Sequence, residues 1–383
     1  MIWIARLATA FVAAATLLPL LPLGAWYVRV CDFPRLQLAA GAVLPLLAVT
    51  LIPGMGNWFG ERGLLATACL LVIAWQTSHV IPYTGLVRTE VAAPSEQDSD
   101  ANRLRVVVAN LDYENDQKDA MLAALQAESP DLLLLIECDQ AWHDALAPLK
   151  ERLPHECGKV QGEGVGLMLW SRLPLEEAEV RFLITERRPS IHTHVTLESG
   201  DRVRVVCVHP TPPGLQDSTG EDRRDSRVRD AELVVVANEM SQSGKEPCIV
   251  TGDFNDVAWS ATTRLFKRLS GLQDPRVGRG LYNTYPARHA LLRFPIDHVF
   301  LSPGFALEEL RRLKLPGSDH FGVVAEVYAP ATTDEQVEAT PEEFEQAEEI
   351  LQEGKEDAEE RDIKSDEAEQ HTLNRPADLP RPA

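Results

Sequence analysis

Three stretches near the start of the chain, 7–28, 36–60 and 63–87, contain no Asp, Glu, Lys or Arg. Each is longer than the ~20 apolar residues that a bilayer crossing requires, so the pattern predicts three transmembrane helices joined by short turns within residues 1–88. The first alone would pass for a signal peptide. Two further spans follow it directly, which favours a multi-pass anchor. Pro19, Pro22, Pro45 and Pro53 should kink or end these helices, and Trp26, Tyr27, Trp58, Trp75 and Tyr83 lie near their ends, where aromatic belts sit. Residues 89–102 then turn small and polar, as expected of a tether.

From Leu104 the periodicity changes. Short apolar runs at 105–109, 132–136, 166–170, 191–197, 203–208, 249–250, 299–301 and 323–328 predict strands. Met121, Leu122 and Leu125 give helical spacing over 119–127, closed by Pro130, and 229–240 reads as a second amphipathic helix. Strands with interspersed helices over residues 103–330 predict an α/β (α+β) sandwich. Residues 331–383 are Glu-rich with few large apolar side chains. They read as an acidic, solvated, disordered tail, transiently helical at 342–360 at most.

Charge changes the picture of partners. The formal net charge is −21, of which residues 331–383 hold −13, residues 86–330 hold −10, and the first 85 residues add +2. A domain with negative net charge is a poor sequence-indifferent binder of duplex DNA, which depends on neutralising phosphates, so nucleic acid is not favoured as a partner. Positive charge near the proposed spans is nearly balanced between the two sides, with a slight excess favouring a cytoplasmic domain. Six scattered cysteines without a Cys-x-x-Cys pair indicate neither structural zinc nor a disulfide framework.

The candidate chemistry sits where strands end. In Val250-Thr251-Gly252-Asp253-Phe254-Asn255, alternation puts Asp253 and Asn255 on one face and Phe254 on the other. A carboxylate that takes a proton or holds a cation, beside an amide that donates to an oxyanion, suits water attack on a phosphate ester. The same stretch is also compatible with a plain Asx-turn. What decides between them is recurrence: Asn110, Glu137, His209, Asp253/Asn255 and Asp297-His298 all adjoin apolar strands, and Ser318-Asp319-His320 precedes the last one. Sites collect at such sheet ends.

Taken in order, these segments resemble the endonuclease/exonuclease/phosphatase superfamily, which includes pancreatic-type deoxyribonuclease, abasic-site endonucleases, bacterial sphingomyelinases and inositol polyphosphate phosphatases. The resemblance runs from about Leu104 to Tyr328 through Val-Ala-Asn110-Leu, Pro130-Asp131 with the run to Glu137, Gly166 to Arg172, Val-His209-Pro, Gly252-Asp253-Phe254-Asn255, Ile296-Asp297-His298 and Ser318-Asp319-His320. It implies a four-layer α/β sandwich and Mg²⁺-dependent phosphoester hydrolysis, with Mn²⁺ as an alternative ion. It further implies that Glu137, Asn110 and Asp319 serve the metal, and that Asp253 orients or deprotonates the attacking water. Asn255 and His209 would hold the phosphate, and His320 would be the essential histidine oriented by Asp297. Ile136 stands where the family commonly has Gln.

Three spans followed by this domain are also similar to membrane members associated with glycopeptide resistance. That likeness implies a cell-membrane protein whose domain faces outward, while a site tethered within reach of the bilayer, in a domain that binds nucleic acid poorly, favours a phosphorylated, lipid-linked substrate. Two other functions fit the sequence: a nuclease, or a non-catalytic membrane scaffold using the acidic tail. No protein partner can be identified.

Several features have blander readings. Ser318-Asp319-His320 cannot fold back into a Ser-His-Asp triad, and no Gly-x-Ser-x-Gly elbow is present. His192 and His194 lack a third zinc ligand at useful spacing. Arg187-Arg188, Arg223-Arg224, Arg227 and Arg229 read equally well as anion grips or as solvated faces. The charged run 216–227 reads as surface, and His298 as a neighbour of the site.

Overall fold

The computed structural model describes residues 2–52, 57–214, 224–333 and 339–373. Pro53, Arg223, and residues 216–223 of the charged run lie outside them. The chain begins with α1 (Ile2–Leu17), α2 (Trp26–Arg29), α3 (Arg35–Leu51) and α4 (Glu61–Val80). With their terminal turns, the first and last become Ile2–Leu20 and Glu61–Tyr83, both long and apolar enough to cross a membrane. The expected middle span is instead a pair of helical pieces, Trp26–Asp32 and Arg35–Leu51, bent by 77°. Pro34 lies at the break and offers no backbone donor to continue the helix. Polar groups tie the three longer helices together. Arg35 Nη1 donates to Gln76 Oε1 at 3.1 Å, and Gln76 Nε2 donates to Thr16 Oγ1 at 2.8 Å.

The domain continues with β1 (Arg103–Asn110), α5 (Lys118–Glu128), β2 (Leu132–Ile136), α6 (Gln140–Ala145), β3 (His155–Lys159), β4 (Leu167–Ser171), β5 (Leu175–Arg181) and β6 (Ser190–Thr196). Then come β7 (Arg202–Val208), α7 (Arg227–Ser241), β8 (Cys248–Asp253), α8 (Ala261–Ser270), β9 (Asp297–Leu301), β10 (Ala306–Lys314), β11 (Phe321–Tyr328) and α9 (Pro341–Glu360). The strands form two sheets, ordered β10-β11-β1-β2-β4-β3 and β5-β6-β7-β8-β9. Alternation then assigns each side chain a layer. Val106, Val108, Leu132 and Leu134 point inward and meet Ile191, Val203, Val205 and Ile249 of the other sheet. Val107, Ala109, Leu133 and Leu135 point outward under α5 and α6, while Val206, Val208 and Val250 lie under α7, α8 and α9. Helices, sheet, sheet and helices therefore make four layers.

Three strands escape the sequence pattern: β3, β5 and β10. Each is the edge of its sheet, with one strand neighbour and side chains partly in water, so no apolar run marks it. Glu177 in β5 has φ 50° at a break in register, and β10 slips between Leu307 and Glu309.

Two boundaries differ from expectation. The supposed tether is docked at its start: Val91 is fully buried in the inter-sheet core, and Glu90 accepts from Lys267 Nζ at 2.7 and 2.9 Å. The acidic tail is not solvated throughout either. Phe344, Ala347, Leu351, Gly354 and Ala358 follow a three-four spacing that lays one face of α9 on α7. A Thr340–Glu343 capping box starts the helix, and Arg227 reaches Asp357 at 2.9 Å. The anchoring side chains are mostly small, which hid the stripe in a Glu-rich run. A Cβ on Gly354 would lie 2.3 Å from Ala231 Cβ. Gly354→Leu should therefore lower stability by about 1–3 kcal/mol. The expected readout is a lower thermal midpoint with earlier proteolytic release of the segment after residue 338.

Candidate active site

The pairing pattern explains why residues far apart in sequence meet. β1 runs parallel to β2, and β7 parallel to β8, so the residues at their C-terminal ends share one edge of the sandwich. β9 and β11 run antiparallel to these partners, which brings their starts to the same edge; Asp253 pairs directly with Asp297. Asn110, Glu137, His209, Asp253, Asn255, Asp297, Asp319 and His320 all stand there. Asn110, His209, Asp253, Asp297 and His320 are buried, Glu137 and Asn255 are half-buried, and Asp319 keeps about a third of its side chain in solvent. A cavity of about 340 Å³ opens among Glu137, His209, Asp253, Asn255, Asp319 and His320.

His320 is the charge centre. Its Nδ1 lies 2.9 Å from Asp297 Oδ2, and its Nε2 lies 3.8 Å from Asp253 Oδ2 and 3.9 Å from Asp319 Oδ1. Burial works against the imidazolium. The Asp297 carboxylate beside it, then Asp253 and Asp319, outweigh that cost and push its pKa up to about 10. Ser318 fixes the loop: its Oγ donates to Asn110 O at 2.8 Å and accepts from the His320 N–H at 3.0 Å. That hydroxyl is thus spent on backbone. The Asp253, Asp297 and His320 ligand-capable atoms lie within 4.8 Å of one another, with the two carboxylates flanking the His320 ring.

The acids opposite carry the cation-seeking character. Burial raises the pKa of Glu137, partly offset by His320, Asn110 and the Tyr113 N–H. Burial and then the nearby Asp297 lift Asp253 to about 7, and burial raises Asp319. Asn110 cross-braces two of these acids, its Nδ2 standing 3.2 Å from Glu137 Oε1 and 3.4 Å from Asp253 Oδ2. Its Oδ1 accepts from the Asp112 N–H at 3.1 Å, so the donor side of the amide faces the acids. Glu137 has φ 62° and Asn255 φ 52°, backbone strain of a kind that gathers at functional sites. Several oxygens with surplus negative charge fit a hard divalent cation.

The opposite wall supplies donors. Arg188 Nη1 donates to His209 Nδ1 at 3.4 Å, which makes Nδ1 the acceptor and leaves the ring proton on Nε2. Asn255 uses one amide hydrogen on Pro210 O at 2.9 Å. Below it, Arg229 Nη1 donates to Asn255 O at 2.8 Å and pairs with Asp230.

Sequence reasoning left one contributor undecided and missed three. Arg188 is buried and lines the cavity; its membership of an arginine cluster was the available signal. Tyr285 packs on the His320 ring with centroids 4.7 Å apart, and Tyr113 lends its N–H to Glu137 at 3.2 Å; neither carried a signal. Phe33, from the break between α2 and α3, also lines the cavity. Other candidates lie elsewhere. His298 is held by Arg276 and Asp256 O away from the cavity. His192 contacts Ser190 and Arg181, and His194 lies by Glu177 and Glu246. Arg187 pairs with Glu163, Arg227 with Asp225 and Asp357, and Arg224 O accepts from Trp26 N.

The pattern of the endonuclease/exonuclease/phosphatase family matches residues 107–320, more than half of the chain. The chain belongs to this family. Members of the family are divalent-metal-dependent hydrolases of phosphoester bonds. Solved structures that the chain is similar to include the family protein from Bacteroides vulgatus, 15% identical over 60% of this chain and 99% of that one, TM-score 0.47. Humanized D. rerio TDP2 is 18% identical over 59% and 99%, TM-score 0.46. Sphingomyelinase C from Streptomyces griseocarneus is 17% identical over 58% and 99%, TM-score 0.43. Among the curated proteins, none matches the chain.

Proposed function

We propose that this family member is a membrane-anchored hydrolase that directs water onto a phosphoester or pyrophosphate of a lipid-linked substrate, using Mg²⁺, which Mn²⁺ can replace. One observation carries the reading: acids, histidines and an amide donor from four strand ends (Glu137, His209, Asp253 with Asn255, and Asp319 with His320) meet in a single cavity whose wall includes Phe33 of the anchor. Glu137, with Asp319 and the Asn110 brace, would hold the cation. When bound, the cation neutralises charge and polarises a phosphoryl oxygen. Asp253, lifted toward neutrality, accepts the proton of the attacking water. The His320 imidazolium, kept charged by Asp297, and the His209, Arg188 and Asn255 donors stabilise the oxygens on which charge accumulates. A site carried beside apolar helices long enough to cross a membrane, in a chain of net charge −21, supports the lipid-linked substrate over nucleic acid; the outward-facing domain is taken from the resemblance to membrane members associated with glycopeptide resistance.

The test uses the full chain in nanodiscs with Mg²⁺ or with chelator. Its substrates are undecaprenyl pyrophosphate, sphingomyelin, bis-p-nitrophenyl phosphate and plasmid DNA. Mg²⁺-dependent release of phosphate from the lipid pyrophosphate, with plasmid untouched, is the expected result. Plasmid nicking with the lipid left intact would replace this reading by a nuclease. A folded protein inert toward all four would replace it by a scaffold.

A further inference from the structure

Leu291 and Leu292 crown the loop 286–294 and are 86% and 53% exposed. Two adjacent bulky aliphatic side chains in water lose the free energy that covering them would supply. Yet the loop is firmly mounted. Tyr285 and Phe294 exchange backbone hydrogen bonds at 3.0 and 2.5 Å, and the Ala287 N–H donates to Asp319 O at 2.5 Å. The tip is therefore built on the cavity wall that Tyr285 and Asp319 line.

Its other side meets the anchor. Gln37, in the first turn of α3, donates from Nε2 to Leu291 O at 2.6 Å, and Phe294 packs edge-on against Phe33 at 5.4 Å. Leu36 beside Gln37 is exposed, as is Leu86 just past the domain-side end of α4. The apolar tip thus lies at the height where the membrane helices enter the domain.

A cationic flank adjoins it. Arg288, Arg312 and Lys314 are exposed, and Arg293 and Arg312 approach the Phe321 ring at 4.6 and 4.9 Å. The three arginines spend donors on the carbonyls of Gly317, Pro286, Ala287 and Asn283. Among the described residues no carboxylate lies within 4.0 Å of Arg288, Arg293, Arg312 or Lys314. In a chain of net charge −21, a basic cluster without a close carboxylate partner among the described residues, beside an apolar tip, matches the chemistry of an anionic lipid leaflet.

We propose that the Ala290–Leu292 tip and its Arg288, Arg293, Arg312 and Lys314 flank seat the domain in an anionic leaflet, turning the cavity mouth toward the lipid surface. The inference rests on the N-terminal helices standing in a bilayer, independently of the reaction. The test places a spin label at Leu291→Cys in the full chain, with the partly exposed Cys31 and Cys157 changed to Ser. The protein is held in nanodiscs of phosphatidylglycerol and phosphatidylcholine. Expected is a ratio of oxygen to nickel-chelate collisions several-fold above that of the same label at the exposed Ser199, and lower in phosphatidylcholine alone. A ratio equal to that at Ser199 overturns the proposal. So does a defined label-to-label distance between two copies, which would make this face a dimer contact, and an equal ratio in both lipids removes the anionic leaflet as occupant.

Discussion

His320→Gln is expected to lower the hydrolysis rate by about 10²–10⁴-fold, the range lost with a positioned acid or base. The imidazolium is the sole cation within 4.0 Å of Asp253, Asp297 and Asp319 among the described residues, so its removal leaves three acids facing one another. The same substitution has a signature that needs no substrate. With the folded pKa lifted to about 10 from an ordinary 6.5, folding takes up a proton, and the stability this adds is fully present below pH 6.5. It is lost as pH rises through 10. In chelator, the difference in denaturation midpoint between the native chain and the variant should shrink from pH 6 to pH 10.5. A difference that grows with pH would mean the histidine is buried neutral.

Glu137→Gln should reduce metal-dependent turnover by about 10²–10³-fold, the cost of losing one strong charge-stabilising group. It should also abolish stabilisation by Mg²⁺, which for the native chain amounts to about 2.7 kcal/mol at a hundred times Kd. The acids carry raised pKa values, Asp253 up to about 7, so a cation must displace protons at low pH. In the metal-free protein those raised values make stability fall as pH climbs through 7, and cation binding offsets this. The Mg²⁺-induced rise in midpoint is therefore expected to be larger at pH 8 than at pH 6. A native-like rise in the Gln variant would remove Glu137 from the metal site.

The strands that sequence reading identified are mostly the buried ones. β1, β2, β4, β7 and β8 lie between two neighbours, and burial on both faces writes itself as an uninterrupted apolar run. Their polar terminal residues were legible for the same reason, since Asn110, Glu137, His209 and Asp253 each break such a run. What was not legible depends on distance rather than pattern. Phe33 touches the cavity only because Asp32 O accepts from Trp259 Nε1 at 2.7 Å and Arg29 reaches Asp230 at 3.3 Å. Arg229 matters only because Asn255 O lies above it. The stripe on α9 obeyed a readable period, but Gly354 and two alanines make up most of it, and small residues weigh little in a hydropathy reading.

The docking of Phe33, Trp259 and Tyr83, whose hydroxyl donates to Ala258 O at 2.9 Å, bears on any attempt to isolate the domain. Trimming away the first hundred residues would take Phe33 from the cavity wall and uncover Trp259, which is buried in the intact chain. What remains would be a damaged vessel rather than a smaller one, prone to self-association. Its silence toward a substrate would say nothing about the intact chain.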